Sequence, residues 1–393
     1  MKIRTLLLYF KWSINAHIAL VLHLFKSSSE KVWLLGGMQG EIYADNAKVF
    51  HEFLIAEKLN IKSIWVARAG SGAYKFAKGE VVAKGSIKNY LYFYSAQTAV
   101  FSDTFNHDIA PGVYLLPIPR FFYNKIFKVR LNHGTILFKK RVNRTGLSKL
   151  LRDSIMRSYD LSTASTGLEL AIMNTYCKPN SVVLTGSARN DQVIAMDLEE
   201  KIILLAPTWR TWLKDVGEFS ESEFCLTYSN LLSDTRLIEY LRRHDIKLVF
   251  TLHHLMLSKS NYFDHLASDV ISIEEQNHLL SRKIVGSALL ITDYSSICSE
   301  RYYLRKPVVF FQFDQARYTA EIGSYIDLHK DSFGRVAHNT DQLIDCIKEV
   351  FEPGYQISSK QIDGEKYFVH HKDQGNCERI YTEILARMKC ASI

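Results

Sequence analysis

The stretch that decides the reading is residues 289–314, LLITDYSSICSERYYLRKPVVFFQFD. An apolar run ends at Thr292, and Asp293, Tyr294, Ser295 and Ser296 follow where a helix is expected to begin. A helix N-terminus offers unpaired N–H groups and a partial positive charge, which together hold phosphate. Glu300 falls one turn beyond Ser296 on the same helix face, within reach of the hydroxyls of a ligand whose phosphate sits at the turn. Lys306-Pro307 then leads into a second apolar strand ending in Asp314. An N-capped helix in a βαβ unit with no ligand explains the same residues equally well.

Outward from this segment, short apolar runs alternate with helical stretches. Strand segments are expected at 32–37, 61–67, 98–104, 129–134 and 182–191 in the first half, and at 202–210, 247–254, 288–293 and 307–314 in the second. Helices are expected at 45–59 with an Asp or Asn cap, around 88–95 and 230–243, from Glu274 to Val285, and at 340–351 and 376–390. Residues 211–226 read as a mobile loop. This alternation predicts an α/β protein with two consecutive doubly wound, Rossmann-like parallel-sheet domains and a cleft between them, the GT-B architecture. The boundaries are expected at 1–28 for an N-terminal helix, 29–195 for the first domain and 196–393 for the second.

The 393 residues are 47% hydrophobic, enough for two domain-sized cores. A net charge of +8 suits a polyanion, a phosphorylated substrate or an anionic membrane surface. Nucleic acid is not expected as a partner, since zinc-finger spacing, aromatic RNP-type strands and long Lys/Arg runs are absent from the sequence. The six cysteines show no CxxC pair, which fits a reducing compartment. Residues 1–27 are apolar but interrupted by Lys11, Asn15, His17 and His23. They read as an amphipathic helix, either lying in a membrane interface or docked on the first domain.

Five polar constellations fall at expected strand ends. In LNHGT (131–135), Asn132, His133, Gly134 and Thr135 end a strand, and His133 titrates where a general base must. FTLHHL (250–255) carries His253 and His254; a metal pair would need a third ligand, and none has fitting spacing. APTWR (206–210) offers Pro207, Thr208 and Arg210, the arginine either on phosphate or forking to a carboxylate at the domain surface. GSARND (186–191) offers Arg189 for bidentate bonds to phosphate, with Asp191 capping the following helix or orienting Arg189. GGMQGEIYADNAKVFHEFL (36–54) lacks the GxGxxG spacing of a dinucleotide site and reads as a capped helix start. No Asp-rich divalent-metal motif stands out, so neither a metal nor another cofactor is expected.

The DYSS turn with its Lys-Pro strand resembles the CDP-glycerol glycerophosphotransferases of bacterial teichoic-acid and capsule synthesis. HGT, the Gly-to-Arg-Asn-Asp stretch, APTWR, a strand-end histidine and TDYSS occur in that family's order, over residues 33–384. Departures fall at Asn132, Ile136 and Phe138 beside His133, and at Thr251 and Leu252 beside His253. The resemblance implies transfer of glycerol phosphate, or a related polyol phosphate, from a CDP-activated donor to a hydroxyl of a lipid-linked glycan or growing surface polymer. It implies His133 as base and His253 as the residue that neutralises phosphate oxygens. Asn132, Gly134, Thr135, Arg189, Pro207, Thr208, Arg210, Asp293, Ser295, Ser296 and Glu300 are then implied as substrate contacts. The setting implied is the cytoplasmic face of a bacterial membrane, peripherally bound. A glycosyltransferase using a nucleotide sugar and a non-catalytic polymer-binding protein are the alternatives.

Overall fold

The computed structural model describes residues 2–25, 30–57, 59–132, 134–141, 145–193, 200–214, 219–275, 280–326 and 334–390. The chain forms two compact units. In the first, seven parallel strands lie in the order β3-β2-β1-β4-β5-β6-β7: β1 (Val32–Gly36), β2 (Lys62–Ala67), β3 (Glu80–Ala83), β4 (Ala96–Phe101), β5 (Phe127–Arg130), β6 (Leu161–Ala164) and β7 (Val182–Leu184). In the second, six parallel strands lie in the order β10-β9-β8-β11-β12-β13: β8 (Glu200–Leu205), β9 (Lys247–Leu252), β10 (Ile271–Glu275), β11 (Ser287–Thr292), β12 (Val308–Phe311) and β13 (Arg335–Ala337). Each sheet runs outward from its first strand in one direction and then reverses, which is the doubly wound order expected.

Period-2 alternation gives the first sheet two apolar faces. Val32 and Leu34 enter a core with Ile64, Val66, Ala99 and Phe101, whereas Trp33 and Leu35 enter a second core with Trp65 and Val100. The N-terminal helix (Lys2–Leu24) covers the first face through Ala16 and Ala19. The C-terminal helix (Asn376–Cys390) covers the second through Cys377, Ile380 and Ile384.

The units are therefore discontinuous in sequence, which differs from boundaries drawn at 28/29 and 195/196. Unit 1 comprises Met1–His133, Asn143–Gln192 and His370–Ile393; unit 2 comprises Gly134–Val142 and Val193–Val369. The C-terminal helix returns to unit 1 because Trp33 and Phe53 present aromatic surface that Tyr381 covers, with ring centroids 6.0 and 6.3 Å away. Asp191 fixes its start, accepting from the backbone N–H groups of Asn376 (3.1 Å) and Cys377 (2.7 Å). Asp191 thus caps a helix, but one distant in sequence rather than the next. The 134–142 segment joins unit 2 through Leu137 and Phe138: Tyr325 N and Ser324 Oγ each donate to Leu137 O at 2.9 Å, and Tyr318 Oη donates to Phe138 O at 3.0 Å.

Three local expectations are corrected. Glu274 and Glu275 end edge strand β10 instead of starting a helix; a helix spans Leu280–Gly286, and residues 276–279 lie outside the described residues. The alternation Ile271-Ser272-Ile273 is the strand signal that the two acidic residues obscured. Residues 219–226 are not loop: Phe219, Phe224 and Cys225 are buried in the core of unit 2, and a helix spans Glu223–Leu232. The helix at Asp45–Ala56 has Ala44 at its N-cap and no side-chain cap, because Asn46 is engaged elsewhere.

Candidate functional site

At the switch point of the second sheet, β8 and β11 lie side by side, with Leu205 paired to Ile291. The chain leaves β8 as Ala206-Pro207-Thr208 and leaves β11 as Asp293-Tyr294-Ser295, so two motifs 85 residues apart end as neighbours. Thr208 N donates to both carboxylate oxygens of Asp293, at 2.8 and 3.1 Å. Tyr294 N donates to Asp293 Oδ1 at 2.6 Å, and Thr292 Oγ1 donates to Ala206 O at 2.7 Å. Open α/β sheets take ligands outside the carboxyl ends of the strands at this point.

Arg210 closes the arrangement from below. Its Nη1 lies 2.8 Å from Asp293 Oδ2, its Nε and Nη2 donate to the two oxygens of Asp314 at 2.6 and 3.0 Å, and Nη1 also donates to Thr208 O at 2.7 Å. Arg210 and Asp293 have no exposed surface. Burial alone would lower the guanidinium, but the charges of Asp293 and Asp314 reverse that and hold it above its ordinary value. Tyr294 stacks on Tyr318 with centroids 3.6 Å apart and donates to Asp314 Oδ1 at 3.3 Å. Burial and the Asp314 charge raise its phenol well above the ordinary range.

This geometry sorts the expected contacts. Arg210 pairs with carboxylates, as its fork geometry suggests, but in the interior and not at the domain surface. Asp293 is likewise a buried anchor, so neither presents an atom to a ligand in this conformation. The Thr208 N–H is spent on Asp293, while its Oγ1 is buried without a hydrogen-bond partner. Pro207 is buried, and Ser295 and Ser296 are half-buried at the rim. The helix expected after the turn opens as a 3₁₀ turn over Ser296–Cys298 before Ser299–Leu304. Glu300 is buried, accepting from Ser299 Oγ at 3.0 Å, and does not stand open at the rim. Ser295 and Ser296 are thus the expected contacts at the rim of the switch point, while Thr208 Oγ1 is buried there without a hydrogen-bond partner.

Asn132 follows β5 in unit 1 with φ +55°, and Gly134, which opens the 134–142 segment of unit 2, has φ +147°, both in the left-handed region that glycine tolerates best. His133 lies outside the described residues. Asn132 is buried, its Nδ2 donating to Thr163 O at 3.0 Å, while its Oδ1 has no hydrogen-bond partner. It therefore fixes the strand end. Thr135 Oγ1 is also buried without a hydrogen-bond partner. Arg189 Nη1 bonds to Asp45 Oδ1 at 3.3 Å rather than to Asp191. His253 is half-buried directly after β9, its carbonyl accepting from Met256 N at 2.7 Å.

Two organising residues escaped the sequence reading. Asn46 Oδ1 accepts from Ser187 Oγ (2.7 Å) and Arg189 N (3.0 Å), and its Nδ2 donates to Asn132 O (3.0 Å). One amide thereby ties the 186–191 turn to the end of β5. Asp314 is the other. Its only sequence signal is a carboxylate at a strand end, one of several. Glu169, also unremarked in the sequence, is buried on the Gly167–Asn174 helix and accepts from Ser165 N at 2.7 Å; burial raises its carboxyl to about 7.

Two parallel-sheet α/β units with polar turns at their strand ends place the chain in the GT-B-like fold class. Among solved structures, the chain is similar to the wall teichoic acid polymerase TagF, with TM-score 0.72 and 18% identity over 98% of each chain. It is also similar, more distantly, to the S. aureus MnaA–UDP structure, with TM-score 0.55 and 14% identity over 92% of this chain and 97% of that one. The chain belongs to the CDP-glycerol:poly(glycerophosphate) glycerophosphotransferase family, whose pattern matches residues 18–386. Curated relatives include the minor teichoic acid biosynthesis protein GgaB of Bacillus subtilis, 24% identical over 93% of this chain but only 41% of the relative's length. The teichoic acid glycerol-phosphate transferase of Staphylococcus aureus is 24% identical over 84% of this chain and 86% of the relative.

Proposed function

We propose that the chain transfers glycerol phosphate from CDP-glycerol to a hydroxyl of a teichoic-acid-type or capsule polymer, or of its lipid-linked precursor, and releases CMP. The acceptor oxygen attacks the β-phosphorus of the donor. A P–O bond forms to the acceptor, the pyrophosphate P–O bond breaks, and the acceptor's proton passes to His133. His253 neutralises phosphate charge, and Thr208 Oγ1, Ser295 and Ser296 hold the donor at the second sheet's switch point. Arg189 contributes to phosphate binding in unit 1. The polyol is glycerol or ribitol. The enzyme works at the cytoplasmic face of the membrane, bound peripherally.

The observation that carries this reading is the pairing of the APT and DYSS turns at the switch point, in a chain whose family match runs almost end to end. The test is CMP release from CDP-glycerol and CDP-ribitol with membrane extract as acceptor, for the natural chain and His133→Ala. Acceptor-dependent CMP that disappears in the variant supports the proposal. Turnover of a nucleotide sugar without any CMP release would replace it with glycosyl transfer. Polymer binding with no turnover of either donor would replace it with a binding role.

A further inference from the structure

We infer that the carboxyl ends of β5, β6 and β7 in unit 1 form a polyol subsite, in which Asp45, Asn132 and Glu169 accept from hydroxyls of the acceptor's terminal unit and Arg130 and Arg189 supply the charge for its phosphate. This names what the acceptor presents in the transfer proposed above, and it rests on that reading.

Three side-chain oxygens here, Asp45 Oδ2, Asn132 Oδ1 and Glu169 Oε1, are buried with no hydrogen-bond partner. In each side chain the other polar atom is engaged. Arg189 Nη1 bonds to Asp45 Oδ1 at 3.3 Å, Asn132 Nδ2 donates to Thr163 O at 3.0 Å, and Ser165 N donates to Glu169 Oε2 at 2.7 Å. A carbonyl therefore sets the orientation of the Asn132 amide, and its lone atom is the oxygen. The groups lie together. Asn132 Nδ2 is also 3.3 Å from Met173 Sδ, and Glu169 stands one turn before Met173 on the same helix face. Asn46 ties the end of β5 to the turn that carries Arg189, and Gly186 N donates to Ala164 O at the end of β6. The charges of Arg130 and Arg189 both act on the Glu169 carboxyl. Glu169 and Asn132 are 1% and 4% exposed, whereas the side chains of Asp45 and Arg189 keep 9% and 14%, so a ligand enters past that ion pair.

The chemistry of these atoms identifies the partner. A buried acceptor without a donor is costly to keep, so three at neighbouring strand ends call for a ligand that brings donors. A bare phosphate brings acceptors only and would leave them unpaired. A terminal glycerol phosphate or ribitol phosphate unit carries hydroxyls beside a phosphodiester, which matches the three oxygens together with the guanidiniums of Arg130 and Arg189. Glu169 adds to this. Burial raises its carboxyl to about 7, so at neutral pH and above it holds a charge at a cost that glutamine of the same size would avoid. A charged oxygen is the stronger acceptor for a hydroxyl, which is what that cost supplies.

The test titrates the full chain with glycerol 3-phosphate, ribitol 5-phosphate and inorganic phosphate by calorimetry, which needs no turnover. The polyol phosphates are expected to bind more tightly than inorganic phosphate. Glu169→Gln and Asp45→Asn each put an amide N–H where a lone oxygen stood, and asparagine accepts the φ of +68° at position 45. Each variant is expected to weaken polyol phosphate about tenfold without weakening inorganic phosphate. In acceptor-dependent CMP release each raises KM for the acceptor by about the same factor and leaves KM for CDP-glycerol in place. Loss of fold does not mimic this, because the urea midpoint of Glu169→Gln is expected to rise at pH 8. Equal affinity for the three ligands, absence of polyol-phosphate binding, or binding that both variants leave intact would overturn the subsite. Magnesium or calcium binding that the variants abolish, with polyol phosphate unaffected, would overturn it too and assign the oxygens to a cation. Polyol-phosphate binding that the variants weaken, in a chain that releases no CMP from CDP-glycerol, would support the subsite and overturn the transfer reading instead.

Discussion

Replacing Arg210 by methionine removes the positive charge between two buried carboxylates while keeping most of the side-chain volume. Asp293 retains its bonds from Thr208 N and Tyr294 N, and Asp314 retains its bond from Tyr294 Oη, but neither keeps a cation. The guanidinium's three carboxylate contacts lie between 2.6 and 3.0 Å and are wholly shielded from water. Breaking a buried pair from one side costs roughly 3–5 kcal/mol, because it leaves uncompensated charge inside the protein. With a urea m-value of about 2 kcal/mol/M, that shifts the midpoint of unit 2 down by about 2 M. Urea titration followed by tryptophan fluorescence reads it directly, since Trp209 and Trp212 flank the site. Adding Asp293→Asn and Asp314→Asn to Arg210→Met removes the stranded charges and should restore a large part of the loss. A shift below ~0.5 M in the single variant, or no recovery in the triple, would refute the clamp: water would then reach the carboxylates.

Two further substitutions probe unit 1. Burial raises the Glu169 carboxyl from 4.5 to about 7, so its stabilising contribution is complete below pH 4.5 and lost as pH rises through 7. At about 1.4 kcal/mol per pH unit, Glu169→Gln should be more stable than the natural chain by about 3 kcal/mol at pH 8, with the gap nearly closed at pH 4.5; equal gaps at both pH values in urea titrations would contradict it. Gly85 has φ +74°, and a Cβ there would lie 2.4 Å from Trp12 Nε1. Gly85→Ala should therefore cost about 1–3 kcal/mol and loosen the N-terminal helix, seen as faster amide exchange over residues 6–24 with β1 and β2 unchanged.

The fold was legible because its strands are central and continuous. VWLLG, IWVA, IILL, LVF and LLIT are buried on both faces, and such strands read as apolar runs between turn residues. The strands that escaped, β3, β6, β10 and β13, are three to five residues long and lie toward the sheet edges, where polar residues interrupt the run. The return of the 376–390 helix to unit 1 was not legible at all. It depends on Trp33, Phe53 and Asp191, which are distant in sequence and carry no mark of a shared partner.

At the site, the motif residues were legible but their division of labour was not. A strand-end aspartate beside serines looks the same on paper whether it faces a ligand or the protein interior. Strand order decides between these, because β8 and β11 become neighbours only when β9 and β10 are placed on the far side of β8. Asp293 then meets Thr208 and Arg210, and those three satisfy one another. Of the hydroxyls around them, Ser295 Oγ accepts from Ile297 N at 3.4 Å and Thr208 Oγ1 is buried without a hydrogen-bond partner. It follows that loss of activity on replacing Arg210 carries no information about contact with substrate. The informative comparison is Thr208→Val, which removes only a hydroxyl that has no partner within the protein. If that hydroxyl meets the donor, KM for CDP-glycerol rises while the urea midpoint stays in place; a fall in midpoint with unchanged KM would return Thr208 to the scaffold with Arg210 and Asp293.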